Sequence, residues 1–297
     1  MHIVVLVLRP SNINSDAAFN MLKLLLILSS LYLSGCVIST AIPPSTLRAL
    51  KAAQLASKAG FKEHTIYTDL FTLKAYGSSV QKKTKILTIY IEGDGLAWIS
   101  ADRPSSNPTP MIPTGLNMAI HDQKNKPIAY LARPCQFVFK EEFRKCRQDY
   151  WTNLRFSPEV IQAMNQAVTY LKQYYHAQQI ALIGYSGGGT IATLVAASRQ
   201  DVIQLITVAA ILDIDFWVKQ EKLTPLSGSL NPADTWEKLS NVPQTHWIGG
   251  KDTVVSKEVA FSYTLRFPAA KKPKIKEVAG FNHTCCWARD WMTLLGS

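Results

Sequence analysis

The stretch IALIGYSGGGT, residues 180–190, is an apolar run that ends abruptly in Gly184-Tyr185-Ser186-Gly187-Gly188. A short, continuous apolar run closed by a turn signal reads as a strand buried on both faces. The residues that follow, GGTIATLVAASR, read as an Ala-rich helix, so Ser186 stands where a strand turns sharply into a helix. Glycine beside such a corner lets two backbones approach where a side chain has no room. Ser186 is then either a nucleophile or a small residue in a tight turn. The choice depends on whether an acid, a base and an anion-binding turn occur elsewhere, in a workable order.

Working outward, the same kind of segment recurs. KILTIYIEGDG is an apolar strand running into a Gly-rich turn, and KPIAYLARP is a second buried strand. VIQLITVAAILD, THWIGG and KIKEVAG follow as further strands, after two short opening strands in HTIYTD and FTLKAYG. Helices lie between them. PPSTLRALKAAQLASKAG has Ser45 as N-cap and Gly60 as stop, and SPEVIQAMNQAVTYLKQYY has Ser157 as cap and Pro158 in its first turn. SKEVAFSYTLRF and TCCWARDWMTLL complete the set. Buried strands alternating with helices indicate one doubly wound, mostly parallel α/β sheet with helices on both faces. The Pro- and polar-rich stretches RPSSNPTPMIPTG and VKQEKLTPLSGSLNPADTW read as insertions on that domain, the second within a small flap over about residues 213–243.

With these elements in place the chain resembles the α/β-hydrolase superfamily, from about Ile86 to its C-terminus. The G-x-S-x-G pattern at Gly184–Gly188 sits between a strand and a helix, the context that family requires. The resemblance implies a serine nucleophile, followed along the chain by an acid and then a histidine. Asp252, in HWIGGKDTVVS, lies just past a strand end, and His283, in VAGFNHTCCW, follows the next strand. Both fall at the carboxyl ends of strands, where open α/β sheets hold their sites. The chemistry needs all three residue types. A serine hydroxyl is a poor nucleophile until a base accepts its proton, imidazole does this near neutral pH, and a carboxylate fixes its tautomer. Asp213 and Asp215 in ILDID are the rival acids, since some branches of the superfamily place the acid there. His64, His121, His176 and His246 do not follow the acid.

An oxyanion hole of two backbone N–H groups is also implied, each donor worth about 3 kcal/mol. Gly187 supplies one by its place after the serine. The turn in YIEGDGLAW supplies the other, with Glu92 standing where the family commonly has histidine. Matching that turn residue by residue puts the donor at Asp94, with Gly95 as the neighbouring alternative. No metal and no organic cofactor are required.

The N-terminus adds a location. MLKLLLILSSLYLSGC has a basic residue at Lys23, a short apolar core and a small-residue exit before Cys36, which describes an export signal. Leu33-Ser34-Gly35-Cys36 resembles the lipobox of bacterial lipoproteins, in which the signal is cut before the cysteine and the cysteine carries lipid. On this reading Met21 is the start, residues 1–20 are an over-extended reading, and residues 36–297 form the mature hydrolase domain. The alternatives are an ordinary cleaved signal or an uncleaved anchor. Val37, not Asp, after the cysteine directs such a lipoprotein toward the outer membrane, facing the periplasm or the cell surface. An exported chain lies where disulfides persist. Four cysteines remain, allowing three connectivities. The expected pair is Cys135–Cys146, closing CQFVFKEEFRKC, with Cys285 and Cys286 either bonded to each other or free. No C-x-x-C pair and no correctly spaced His pair supports a zinc site.

Composition agrees with a folded catalyst. Of 297 residues, 47% are hydrophobic and 18% charged, a balance that excludes a disordered chain. The formal charge is +11, and removing Arg9, Asp16 and Lys23 with the signal leaves +10. Such a surplus can favour anionic membrane surfaces or acidic partners, but lysines scattered as in SVQKKTK and AAKKPKIK read as a solvated basic surface, and an exported chain without a binding motif gives no support to nucleic acid. Trp98, Trp151, Trp217 and Trp287 fall near the active edge and are candidates for an apolar substrate pocket. RPCQ…C…YWT…RFSPEVI and SLNPAD are similar to exported bacterial hydrolases of undefined substrate. The expected protein is a membrane-anchored serine hydrolase that cleaves carboxylic esters or thioesters of small-molecule or lipid-like type. A peptidase or amidase on the same triad, and a non-catalytic envelope lipoprotein that binds rather than cleaves, are the alternatives.

Overall fold

The structure, a computed structural model, describes residues 42–79, 85–122, 127–143 and 145–296. The expected export signal and lipobox, with Cys36, lie outside the described residues. From Pro43 onward the chain clusters as one unit. Helix α1 (Ser45–Lys58) opens it, capped by Pro44 with Ser45 already helical, one position from the cap expected at Ser45. Strands β1 (Phe61–Tyr67), β2 (Thr72–Ser78) and β3 (Ile86–Ile91) follow, then a hairpin of β4 (Trp98–Ser100) and β5 (Arg103–Pro104) and helix α2 (Thr114–His121). After β6 (Ile128–Leu131) come α3 (Pro158–Tyr174), β7 (Gln179–Tyr185), α4 (Gly187–Ala197) and β8 (Val202–Val208). The flap region holds α5 (Ile214–Gln220) and α6 (Trp236–Leu239). The chain ends through β9 (Gln244–Gly249), α7 (Lys257–Thr264), β10 (Lys274–Val278) and α8 (Trp287–Leu295).

Eight of these strands form a sheet in the order β1-β2-β6-β3-β7-β8-β9-β10. From β6 to β10 every neighbour is parallel, while β2 pairs antiparallel with β6 and β1 with β2. Period-2 alternation distributes the strand side chains between two apolar layers. Leu87, Ile89 and Ile91 of β3 and Leu182 of β7 pack on one face, with Val160 and Met164 of α3, Ile191 of α4 and Val259 of α7. Tyr90 and Ile183 point to the other, with Ala52 of α1, Leu116 of α2 and Trp287 and Trp291 of α8. Burial on both faces is why these strands read as unbroken apolar runs.

Two details position the site. The chain leaves β3 for β6 on one side and reaches β7 on the other, so the connections diverge at β3. Open sheets form a crevice at such a point, beyond the carboxyl ends of the strands. And β8 stops at Val208, short of the strand expected through Asp213, because Ala209 takes φ 50° and turns the chain out of the sheet. That turn releases Ile211 to the crevice and Asp213 to cap α5.

Candidate active site

Ser186 is the corner between β7 and α4, with φ 51° and ψ −127°, a backbone conformation that costs free energy and persists because its surroundings impose it. Its N–H donates to the Val208 carbonyl at 2.8 Å and its own carbonyl accepts from Gly189 N–H at 2.8 Å. A Cβ at Gly184 would overlap the Gly188 backbone, and one at Gly188 would overlap the Ile91 and Glu92 carbonyls. Both flanking glycines are therefore required by close packing of backbone, as in the motif.

The structure brings Ser186, His283 and Asp252 together. Ser186 Oγ lies 3.0 Å from His283 Nε2, and His283 Nδ1 lies 2.9 Å from Asp252 Oδ2. The other Asp252 oxygen accepts the N–H groups of Val254 and Val255, both at 2.9 Å. An ionised carboxylate only accepts, so Nδ1 must carry the proton and Nε2 presents its lone pair to the serine hydroxyl. His283 rests on a short loop fixed from two sides. Its carbonyl accepts from Tyr185 Oη–H at 2.9 Å and from Trp287 Nε1–H at 3.1 Å. Behind it, Trp291 Nε1–H donates to Tyr90 Oη at 2.7 Å, and Tyr90 donates to Asp122 at 2.5 Å, tying α8 to β3 and to the end of α2.

The rival residues are committed elsewhere. Asp213 caps α5 through the Phe216 N–H at 3.2 Å and accepts from Ser262 Oγ at 2.6 Å, while Asp215 accepts from Asn231 at 3.2 Å. His246 is buried in β9 with Nδ1 2.8 Å from Thr207 Oγ1, and burial pushes its pKa down to about 3. His64 is packed among Tyr170, Tyr174 and Tyr175.

Across from Ser186, the turn after β3 is held by charges that the sequence does not announce. Asp94 pairs with both Arg133, after β6, and Arg155, at 2.9 Å, before α3. Burial alone would raise the Asp94 carboxyl, but the two guanidinium groups outweigh it and hold the pKa below the ordinary value. Gly187 packs against this pair, since a Cβ there would overlap Asp94 Oδ1. The Asp94 side chain thus belongs to the scaffold of the turn, which lines the cavity together with Ser186. Gly95 takes φ +66° and supports the same turn. Glu92 is buried and accepts the N–H groups of Gly93 at 3.0 Å and Gly115 at 3.1 Å, and the Tyr130 hydroxyl at 3.0 Å. Burial nonetheless raises its pKa above the usual carboxylate value. It fastens the turn to the N-terminus of α2, where an acidic group is favoured.

Ser186, His283 and the turn from Glu92 to Gly95 line a cavity of about 820 Å³. Trp98 and Trp217 are in its wall, whereas Trp151 and Trp287 are buried in the cores. Cys135 and Cys146 are disulfide-bonded with Cα atoms 5.7 Å apart, and Cys285 is bonded to Cys286. Among the described residues, no cluster of three His, Cys, Asp or Glu side chains could hold a metal ion, and no helix is long and apolar enough to cross a membrane.

The sheet, the strained serine corner and the order of Ser186, Asp252 and His283 define the α/β-hydrolase fold. Solved structures agree. Est1E from Butyrivibrio proteoclasticus is 16% identical, with a TM-score of 0.53 over 78% of this chain and 95% of its own. The Pyrococcus furiosus esterase Pf2001 is 13% identical, with a TM-score of 0.56 over 80% and 88%. A puromycin-hydrolyzing peptidase of Mycobacterium tuberculosis is 12% identical, with a TM-score of 0.55 over 75% of this chain and 36% of its own. No protein-family model matches the sequence, and comparison with curated proteins finds no match.

Proposed function

We propose that the chain is a serine hydrolase that cleaves carboxylic esters or thioesters through an acyl-enzyme, held at the bacterial envelope by lipid on Cys36. The observation that carries the chemistry is the continuous hydrogen-bond chain Ser186–His283–Asp252 at the wall of a largely apolar cavity. Ser186 Oγ attacks the carbonyl carbon while its proton passes to His283 Nε2. Asp252 keeps the imidazole oriented and stabilises the imidazolium. The backbone N–H groups of Asp94 and Gly187 hold the oxyanion, in a turn that Glu92, Arg133 and Arg155 keep in place before substrate arrives. Collapse of the tetrahedral intermediate breaks the bond to the leaving group, which takes the proton from His283. Water, deprotonated by His283, then releases the acid and restores Ser186.

Solved proteins of this fold include esterases and a peptidase, so the fold agrees with acyl transfer and leaves the bond type to the site. A panel of soluble short-chain esters, thioesters and peptide amides tests the reading. Ester or thioester turnover by wild type, lost in Ser186→Ala, is expected. Cleavage of amides in preference to esters would move the protein to the peptidase class, and inertness of folded wild type toward the whole panel would favour a binding module.

A further inference from the structure

We propose that the mouth of the cavity docks on a phospholipid bilayer and that the substrate is an acyl ester drawn from that bilayer. The proposal rests on the hydrolase reading of Ser186 and on the lipid anchor at Cys36, and it names their common target.

The first observation is the rim. Five cavity-lining side chains, Trp98, Met111, Ile112, Leu223 and Val254, are large, apolar and exposed, Ile112 to 73%. They come from the β4–β5 hairpin, the Pro-rich segment before α2, the flap and the turn after β9, and all five line the same cavity. Ile99 and Phe216, chain neighbours of the wall residues Trp98 and Trp217, are exposed apolar side chains as well. Large apolar groups left in water around a cavity mark a surface that another apolar phase covers.

The second observation is what the wall offers a substrate. Its carboxylates are already engaged, Glu92 with the start of α2 and Asp94 with Arg133 and Arg155. The rest is mainly hydrocarbon, and the volume is toward the upper end of the roughly 300–1,000 Å³ of small-ligand pockets. Such a space suits an acyl chain.

The third observation is the tether. Arg48 of α1 donates to the carbonyls of Thr109 and Asn107, which fixes the start of α1 beside the segment that carries Met111 and Ile112 to the rim. Nine residue steps separate Ser45 from Cys36, an extended reach of at most about 32 Å. A lipid on Cys36 therefore keeps this domain close to the bilayer, with the chain entering it next to one part of the rim.

The test uses full-length, lipid-processed protein reconstituted into vesicles of phosphatidylethanolamine and phosphatidylglycerol. Fatty acid released from the vesicles is compared with turnover of a water-soluble p-nitrophenyl ester. Ile99→Asp with Phe216→Asp puts charge on two exposed apolar side chains that adjoin wall residues in the chain and do not themselves line the cavity. It should keep the soluble-ester rate within about twofold and lose about tenfold or more of vesicle hydrolysis, since charge opposes insertion of an apolar surface into lipid. Should two aspartates cost folding, Ile99→Ser alone carries the same comparison. Equal rates for variant and wild type on vesicles would overturn docking, as would a wild type that hydrolyses the soluble ester and leaves vesicle lipid intact. A wild type inert toward both would overturn the hydrolase reading itself.

Discussion

One carboxylate oxygen of Asp252 accepts the Val254 and Val255 N–H groups, which leaves the other for His283. Asp213 spends its oxygens on the start of α5 and on Ser262. Chain order alone admits either acid; the hydrogen bonds separate them. Asp252→Asn should therefore lower kcat about 10⁴-fold by presenting the wrong His283 tautomer. Asp213→Asn should leave kcat within a few-fold and stability little changed, because asparagine caps a helix about as well as aspartate. Steady-state kinetics on a soluble ester and a denaturant midpoint for each variant check this, and the reverse ranking of kcat would assign the acid to Asp213. At this scale the sequence was legible wherever a residue's job is set by its neighbours in the chain, as for Ser186 between its glycines. It was opaque for Asp94, whose clamps lie 39 and 61 residues away and carry no local pattern. Arg133, in LARPC, and Arg155, in LRFSP, look like surface arginines until the fold buries them.

Among the elements, the buried strands were legible because burial on both faces demands unbroken apolar runs. The β4–β5 hairpin and α2 were not, since residues 104–113 are rich in proline and show no helical or alternating period. Helix α2 follows Pro113 directly and takes its N-terminal support from Glu92 on a distant strand end. The segment between β6 and α3 has another kind of order. It holds two short 3-10 turns and is closed by Cys135–Cys146, and it delivers Arg133 and Arg155 to Asp94 from either side. Replacing both cysteines with alanine should destabilise the fold by about 3 kcal/mol, the chain-entropy value for a loop of this length. The midpoint of denaturant unfolding under non-reducing conditions reads it. An unchanged midpoint would mean that the loop is fixed by the Arg–Asp cluster and the core alone.

At the scale of the molecule, one sheet places every part of the site along a single edge. The serine corner ends β7, the turn that carries Asp94 follows β3, Asp252 follows β9 and His283 follows β10. The flap and the Pro-rich segment build the apolar mouth above them. The formal charge of +11 is compatible with an anionic lipid surface. All of this has a purpose only if Ser186 is activated. The measurement to make is reaction of the folded protein with a fluorophosphonate, followed by intact mass and peptide mapping. Wild type should gain one adduct, on Ser186; Ser186→Ala should gain none, and His283→Ala should react far more slowly. An unlabelled, folded wild type, or an adduct that survives in Ser186→Ala, would contradict the assignment.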